Sequence, residues 1–283
     1  MTKTVYAEKK TTGRYKILKH CGSAAAATTL AALFGVIIYI LISGIPHLSF
    51  NFLFGKYTGS NPTLAPALSG TLMLLVAALG IAVPIGIATA VFLTEYAAQR
   101  KGIVKLIRLA VETLAGIPSI IYGLFGYLVF VVEMGLGYSL LGGGITLAIM
   151  ILPVIIRSAE ESLLSVPKEL KEASYALGAR KVRTIFGVIL PSAASGILTS
   201  VVLAAGRVIS ESAVLILTVG MLVNKMPENF FFPGTSLALN VYFFGSQGYP
   251  KQAAATGAAL LIIVICINLT AGLLEKRLNK IKI

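Results

Sequence analysis

Long apolar runs separated by short polar connections are the dominant pattern of this chain, and they predict an all-α, polytopic membrane protein. A bilayer core needs about 20 mainly apolar residues per helix. Six segments meet that need, at about 23–43, 67–93, 109–132, 138–156, 193–222 and 252–273. The fourth is the least regular, since Gly142-Gly143-Gly144 falls near its start. One segment breaks the pattern. From Pro167 through Gly178 the chain is amphipathic, with Leu170, Ala173 and Leu177 at helical spacing and charges between them. Pro167 suits the first helical position, Glu169 and Glu172 lie near the positive end of the helix dipole, and Gly178 permits a turn. A second helix, from Arg180, leads into the fifth span with Pro191 at the junction. The segment 157–191 is therefore predicted to project from the membrane as helix, turn and helix.

Composition supports the membrane reading. Of 283 residues 57% are hydrophobic and only 12% charged, where soluble domains average roughly 25% charged. The net charge of +13 raises the question of nucleic acid, but the placement of the cations argues for lipid instead. Twenty of the 24 Lys and Arg residues precede the first span, follow the sixth, or lie between the second and third and between the fourth and fifth. The positive-inside rule then places the basic tails 1–22 and 274–283 and the segment 157–191 in the cytoplasm. Lys56, Lys225 and Lys251 fall outside, and Arg207 falls within the fifth span. The first span follows a basic stretch as a signal peptide would, yet its apolar run is too long and no small-residue cleavage site follows, so it is expected to be retained.

Several chemistries drop out. Asp is absent, which removes any Asp nucleophile, triad member or metal ligand, and no phosphate-binding G-x-x-x-x-G-K-[ST] loop occurs. Cys21 and Cys266 do not show metal-ligand spacing and read as small hydrophobes, and His20 and His47 carry no pattern. No cofactor or metal is called for, and any ATP must be bound by another subunit.

Polar groups inside the spans are the candidates for function. Arg207 and Glu211 stand four residues apart, so on a continuous fifth helix they share a face. Each alone costs roughly 2.5–3.5 kcal/mol at mid-membrane, and pairing offsets part of this. Two readings stay open: a neutralised pair that pins helix packing, or an anion contact in which Arg207 presents its two-pronged donor and Glu211 holds it. Ser210 and Ser212 could add hydroxyls. In the third span, Gly116 and Pro118 predict a kink, a hinge or a close helix crossing. The outward segments, Gly44 to Pro66 and Asn224 to Lys251, are rich in Phe, Tyr and Pro, as an interfacial aromatic belt or a docking surface would be.

Glu172-Ala173-Ser174 followed by Gly178 and Ile189-Leu190-Pro191 resembles the EAA loop of permease subunits in bacterial ATP-binding-cassette importers. Leu114-Ala-Gly-Ile-Pro-Ser-Ile-Ile-Tyr-Gly-Leu-Phe, Arg157-Ser-Ala-Glu-Glu-Ser-Leu with Ser165-Val-Pro, and Gly206-Arg-Val-Ile-Ser-Glu-Ser-Ala-Val-Leu more narrowly resemble the phosphate-importer permeases, of the PstA type rather than the PstC type. The resemblance covers spans two to six and implies a type I importer permease fold with a cytoplasmic coupling helix. It implies that Arg157 and Arg207 match arginines of the phosphate path, with Glu211 as the paired acid, and that Glu172, Ala173 and Gly178 match the coupling loop. The family usually reads Arg-Ala-Ile-Gly-Glu-Thr-Ala-Pro around the pair, where this chain has Ser210, Ser212 and Val214 in place of the glycine, threonine and proline.

The implied function is ATP-driven import of inorganic phosphate across the cytoplasmic membrane. The implied partners are an ATPase dimer, a second, PstC-like permease and an extracytoplasmic phosphate-binding protein, with the lipid bilayer as surroundings and no nucleic acid. Alternatives are a permease for sulfate, molybdate or another oxyanion, or a secondary transporter; a membrane enzyme lacks a nucleophile-base or metal constellation.

Overall fold

The structure, a computed structural model, describes residues 2–55, 62–97 and 101–280, and side chains within 15–55, 62–97 and 102–273. The basic side chains through Arg14 and beyond Leu273, together with Lys56, Arg100 and Lys101, lie outside the described residues. Everything described is helix or connection. Among the described residues, five helices are long and apolar enough to cross a membrane, and a bent pair makes a sixth.

Helix α1 (Thr2–Gly44) runs unbroken from the basic tail through the first span. A short 3₁₀ turn at Ile45–His47 and helix α2 (Phe50–Phe54), capped by the Ser49 hydroxyl, follow it. Helix α3 (Ala65–Val91) is the second span and ends in a π-turn, Phe92–Tyr96. Helix α6 (Leu140–Leu164) is the centre of the bundle. Two thirds of its apolar window is buried, whereas none of the window of α1 is. The buried side chains of α3 and α6 meet through Leu74, Ala78, Leu147, Ile151 and Ile155. Glycine allows the close approach: a Cβ on Gly86 would lie 2.6 Å from Ile155 Cγ2, and one on Gly144 2.6 Å from the Ala77 Cβ.

The start of α6 shows why three consecutive glycines do not spoil a helix here. The Ser139 hydroxyl accepts from Gly142 N at 3.1 Å, and the backbone carbonyls of Phe232 and Phe230 accept from Leu140 N and Leu141 N at 3.0 and 2.7 Å. Three orphan donors of the first turn are thus satisfied. At its other end α6 runs on to Leu164, so Arg157 is helical and the projecting segment begins near Ser165 rather than at residue 157.

Two spans are interrupted: the third at the kink expected from Gly116 and Pro118, and the fifth where the sequence predicts a continuous helix. The third divides into α4 (Lys101–Ala115) and α5 (Ser119–Gly126), the latter continuing as a π-turn to Glu133, with a 98° bend between the two parts. The projecting segment folds as α7 (Lys168–Ala176) and α8 (Lys181–Thr184), which passes through a π-turn, Ile185–Ile189, into α9 (Leu190–Ser210). Pro167 caps α7 from extended backbone (ψ 135°) instead of standing at its first helical position. The fifth span stops at Ser210, and the chain resumes as α10 (Ala213–Thr218).

The segment after α10 is not only a surface belt. Helix α11 (Leu237–Ser246) buries Leu237 to Asn240 and Phe244, and Leu237 N donates to the buried Thr71 hydroxyl at 3.0 Å. Helix α12 (Pro250–Lys280) closes the bundle against α1, α9 and α11.

Candidate functional site

The two interruptions lie side by side, because α5 packs along α10. A Cβ on Gly123 would lie 3.0 Å from Val214 Cα, so the two short helices touch almost backbone to backbone. The first break follows from Pro118, which has no N–H to give the Leu114 carbonyl one turn before it. That carbonyl accepts instead from Ile117 N at 3.1 Å and from the Tyr122 hydroxyl at 2.7 Å. Gly116 sits inside the break, its N–H turned to Thr113 O at 3.2 Å.

The second break contains neither proline nor glycine. Glu211 leaves helical geometry (φ −81°, ψ 130°), and its carboxylate accepts from Ala213 N at 3.0 Å and Val214 N at 3.4 Å. The acid satisfies the first amides of α10, where helix donors are otherwise unpaired. Arg207 and Glu211 therefore do not form the expected one-turn pair. A helix must continue for residues four apart to face each other, and this one ends between them. Arg207, in the last turn of α9, is exposed and belongs to no ion pair among the described residues. Glu211 thus stands at the second break, at the head of the helix α10 on which α5 packs, with Arg207 one turn earlier in α9.

Arg157 is placed elsewhere. On the exposed side of α6 its Nε lies 3.5 Å from Glu161 Oε1, and both line a cleft of about 240 Å³ with Glu112 and Ser158 between α4 and α6. No contact joins Arg157 to Arg207. One turn along α6, Glu160, whose side chain is 11% exposed, accepts from Arg108 Nε at 2.9 Å and Arg108 Nη2 at 2.5 Å, tying α4 to α6. Sequence reading missed that pair, since its partners lie 52 residues apart.

The projecting helix α7 has no buried residue. Leu170, Tyr175 and Leu177 are exposed, Leu177 at 88%, and Glu172 and Ala173 stand open beside them. Gly178 (φ +78°) ends the helix in a Schellman turn, with Ala179 N donating to Ser174 O at 3.1 Å and Gly178 N to Tyr175 O at 2.9 Å. The opposite face is anchored. The Ser174 and Thr184 hydroxyls bond at 2.9 Å, and Lys171 pairs with Glu95 at the end of the second span. Lys181 donates to the Glu95 carbonyl and lies 4.4 Å over the Tyr96 ring.

Known proteins resemble the chain over most of its length. Residues 82–280 match the family described as binding-protein-dependent transport system inner membrane component. A probable ABC transporter permease, YqgI of Bacillus subtilis, is 36% identical over 90% of this chain and 92% of its own length. The phosphate transport system permease PstA of Xylella fastidiosa (strain Temecula1) is 34% identical over 88% and 90%. PstA 1 of Mycobacterium tuberculosis (strain H37Rv) is 36% identical over 74% and 68%. Among solved structures, a bacterial alginate ABC transporter aligns over 94% of this chain and 96% of its own at a TM-score of 0.68 and 17% identity, which speaks to fold. On the family match and these relatives, the chain belongs to the binding-protein-dependent transport system inner-membrane components, the permease subunits of ABC importers.

Proposed function

We propose that this permease conducts inorganic phosphate into the cytoplasm, that Arg207 is its transient anion contact, and that α7 is the surface on which an ATPase subunit acts. The observation that carries the reading is Arg207 itself. An exposed guanidinium within the apolar span costs a few kcal/mol against lipid, and Glu211, spent on the amides of α10, does not neutralise it. Such a group is stable against water or a polar partner surface. Its planar donors suit a tetrahedral oxyanion. One contact of this kind holds cargo loosely enough to release it.

The PstA relatives support phosphate as the anion. A PstC-like second permease would supply the facing half of the path, and an extracytoplasmic binding protein would deliver the anion. Two ATPases would seat α7 by its open Leu170–Ala173–Leu177 face, with both termini on their side of the membrane. Arg157, at the α4–α6 cleft, is a further pathway cation on this reading. ATP hydrolysis belongs to the ATPase subunits. In proteoliposomes holding the intact assembly, labelled phosphate uptake should require ATP and the binding protein and should resist competition by sulfate or molybdate. Uptake suppressed by equimolar sulfate or molybdate would reassign the anion, and uptake driven by an ion gradient alone would overturn the importer reading.

A further inference from the structure

The contacts beneath α7 converge on one residue. Glu95 occupies the π-turn that ends the second span, its side chain only 7% exposed. Its carboxylate pairs with Lys171 on α7, and its backbone carbonyl accepts from Lys181 at the start of α8, beyond the Gly178 turn. Lys181 also covers the neighbouring Tyr96 ring at 4.4 Å. Ser174 and Thr184 close the same loop from inside at 2.9 Å. Residues 95 and 171 are separated by 76 positions, so this is tertiary construction and not local capping.

We propose that Glu95 is a positioning residue that clamps the coupling helix to the second span, so that displacement of α7 moves α3 and α9 as one body. The proposal rests on the importer reading and adds to it the residue through which force leaves α7. Without the Glu95–Lys171 pair, α7 has no buried side chain to hold it, and what remains is its hydroxyl pair, its packing on the 185–189 turn, and, beyond Gly178, Lys181 of α8 on the Glu95 carbonyl and the Tyr96 ring. A partner could then rock α7 on its Gly178 turn without moving the spans. The open face of α7 is untouched by the clamp, so ATPase docking should survive its loss. An interaction of this kind, solvent-shielded on the carboxylate side, is a two-partner unit whose separate deletions are not additive.

The test is the ratio of phosphate imported to ATP hydrolysed by the purified assembly. Glu95→Gln and Lys171→Met should each lower the ratio about tenfold, within the range of coupling changes produced by residues between sites. ATPase subunits should still co-purify. The double variant should be no worse than either single one, and Lys171→Arg, which keeps the charge, should restore most of the ratio. Should Glu95→Gln fail to accumulate, the contrast between Lys171→Met and Lys171→Arg carries the same prediction. An unchanged ratio, additive losses in the double variant, or loss of the ATPase subunits from either variant would overturn the clamp. Wild-type protein that imports nothing with ATP would instead overturn the function on which it rests.

Discussion

The basic end of the bundle and its interrupted middle treat charge in opposite ways. At the basic end Arg108 is paired with Glu160, Arg157 with Glu161 and Lys171 with Glu95. In the middle, Glu211 is turned onto the amides of α10 and Arg207 is left without an ion-pair partner among the described residues. Two of the three pairs join different elements, α4 to α6 and α7 to the end of the second span, while Arg157–Glu161 lies within α6. A charge left open in a span is costly to the fold, and on the proposed function it is kept where the anion passes.

The largest expected effect lies in the middle. Arg207→Gln should lower phosphate uptake about thirtyfold or more, the scale of a lost charge-assisted hydrogen bond, with assembly intact. Uptake with normal kinetics would return Arg207 to a packing role. Next comes the exposed face of α7, where Glu172→Lys should lower uptake about tenfold while ATP hydrolysis continues, as expected for a reversed charge at a docking surface. Normal uptake in that variant would remove Glu172 from the coupling surface. Glu160→Gln should act on stability, costing about 1–3 kcal/mol because two charge-assisted hydrogen bonds that tie α4 to α6 are weakened. A lowered melting temperature of the detergent-solubilised protein checks it. The smallest effect is expected from Gly178→Ala, where a Cβ at φ +78° costs roughly 1–2 kcal/mol locally. Faster amide exchange confined to α7 and its turn would reveal it.

Much of this was readable from the chain. The apolar runs locate a helix or a broken helix at each of the six spans, although α6 runs on to Leu164 and the fifth stops at Ser210, and the alternation around Leu170, Ala173 and Leu177 places α7 and its open face. Pro118 announces the first break, because a missing N–H is a local fact. The second break has no proline or glycine to announce it. Ser210-Glu211-Ser212 would continue a helix in another context, and it ends one here where the Glu211 carboxylate takes the Ala213 and Val214 amides and α10 packs on Gly123 of α5. Glu95 with Lys171 and Arg108 with Glu160 are not local at all, since their partners are chosen by packing across 76 and 52 positions. Helix α6 exceeds its predicted end because hydropathy marks only the apolar run, and the helix continues past it where Glu160 and Leu163 are covered.

Arg207 facing an aqueous path is the central claim, and one substitution tests it. With Cys21 and Cys266 replaced by serine, Arg207→Cys should abolish phosphate uptake by the assembled importer. Treatment with a water-soluble aminoethyl thiosulfonate, which places a cation at position 207, should restore a substantial part of it, and the anionic sulfonatoethyl reagent should not. A thiol that stays unlabelled until the protein is denatured, or equal rescue by both reagents, would contradict the account.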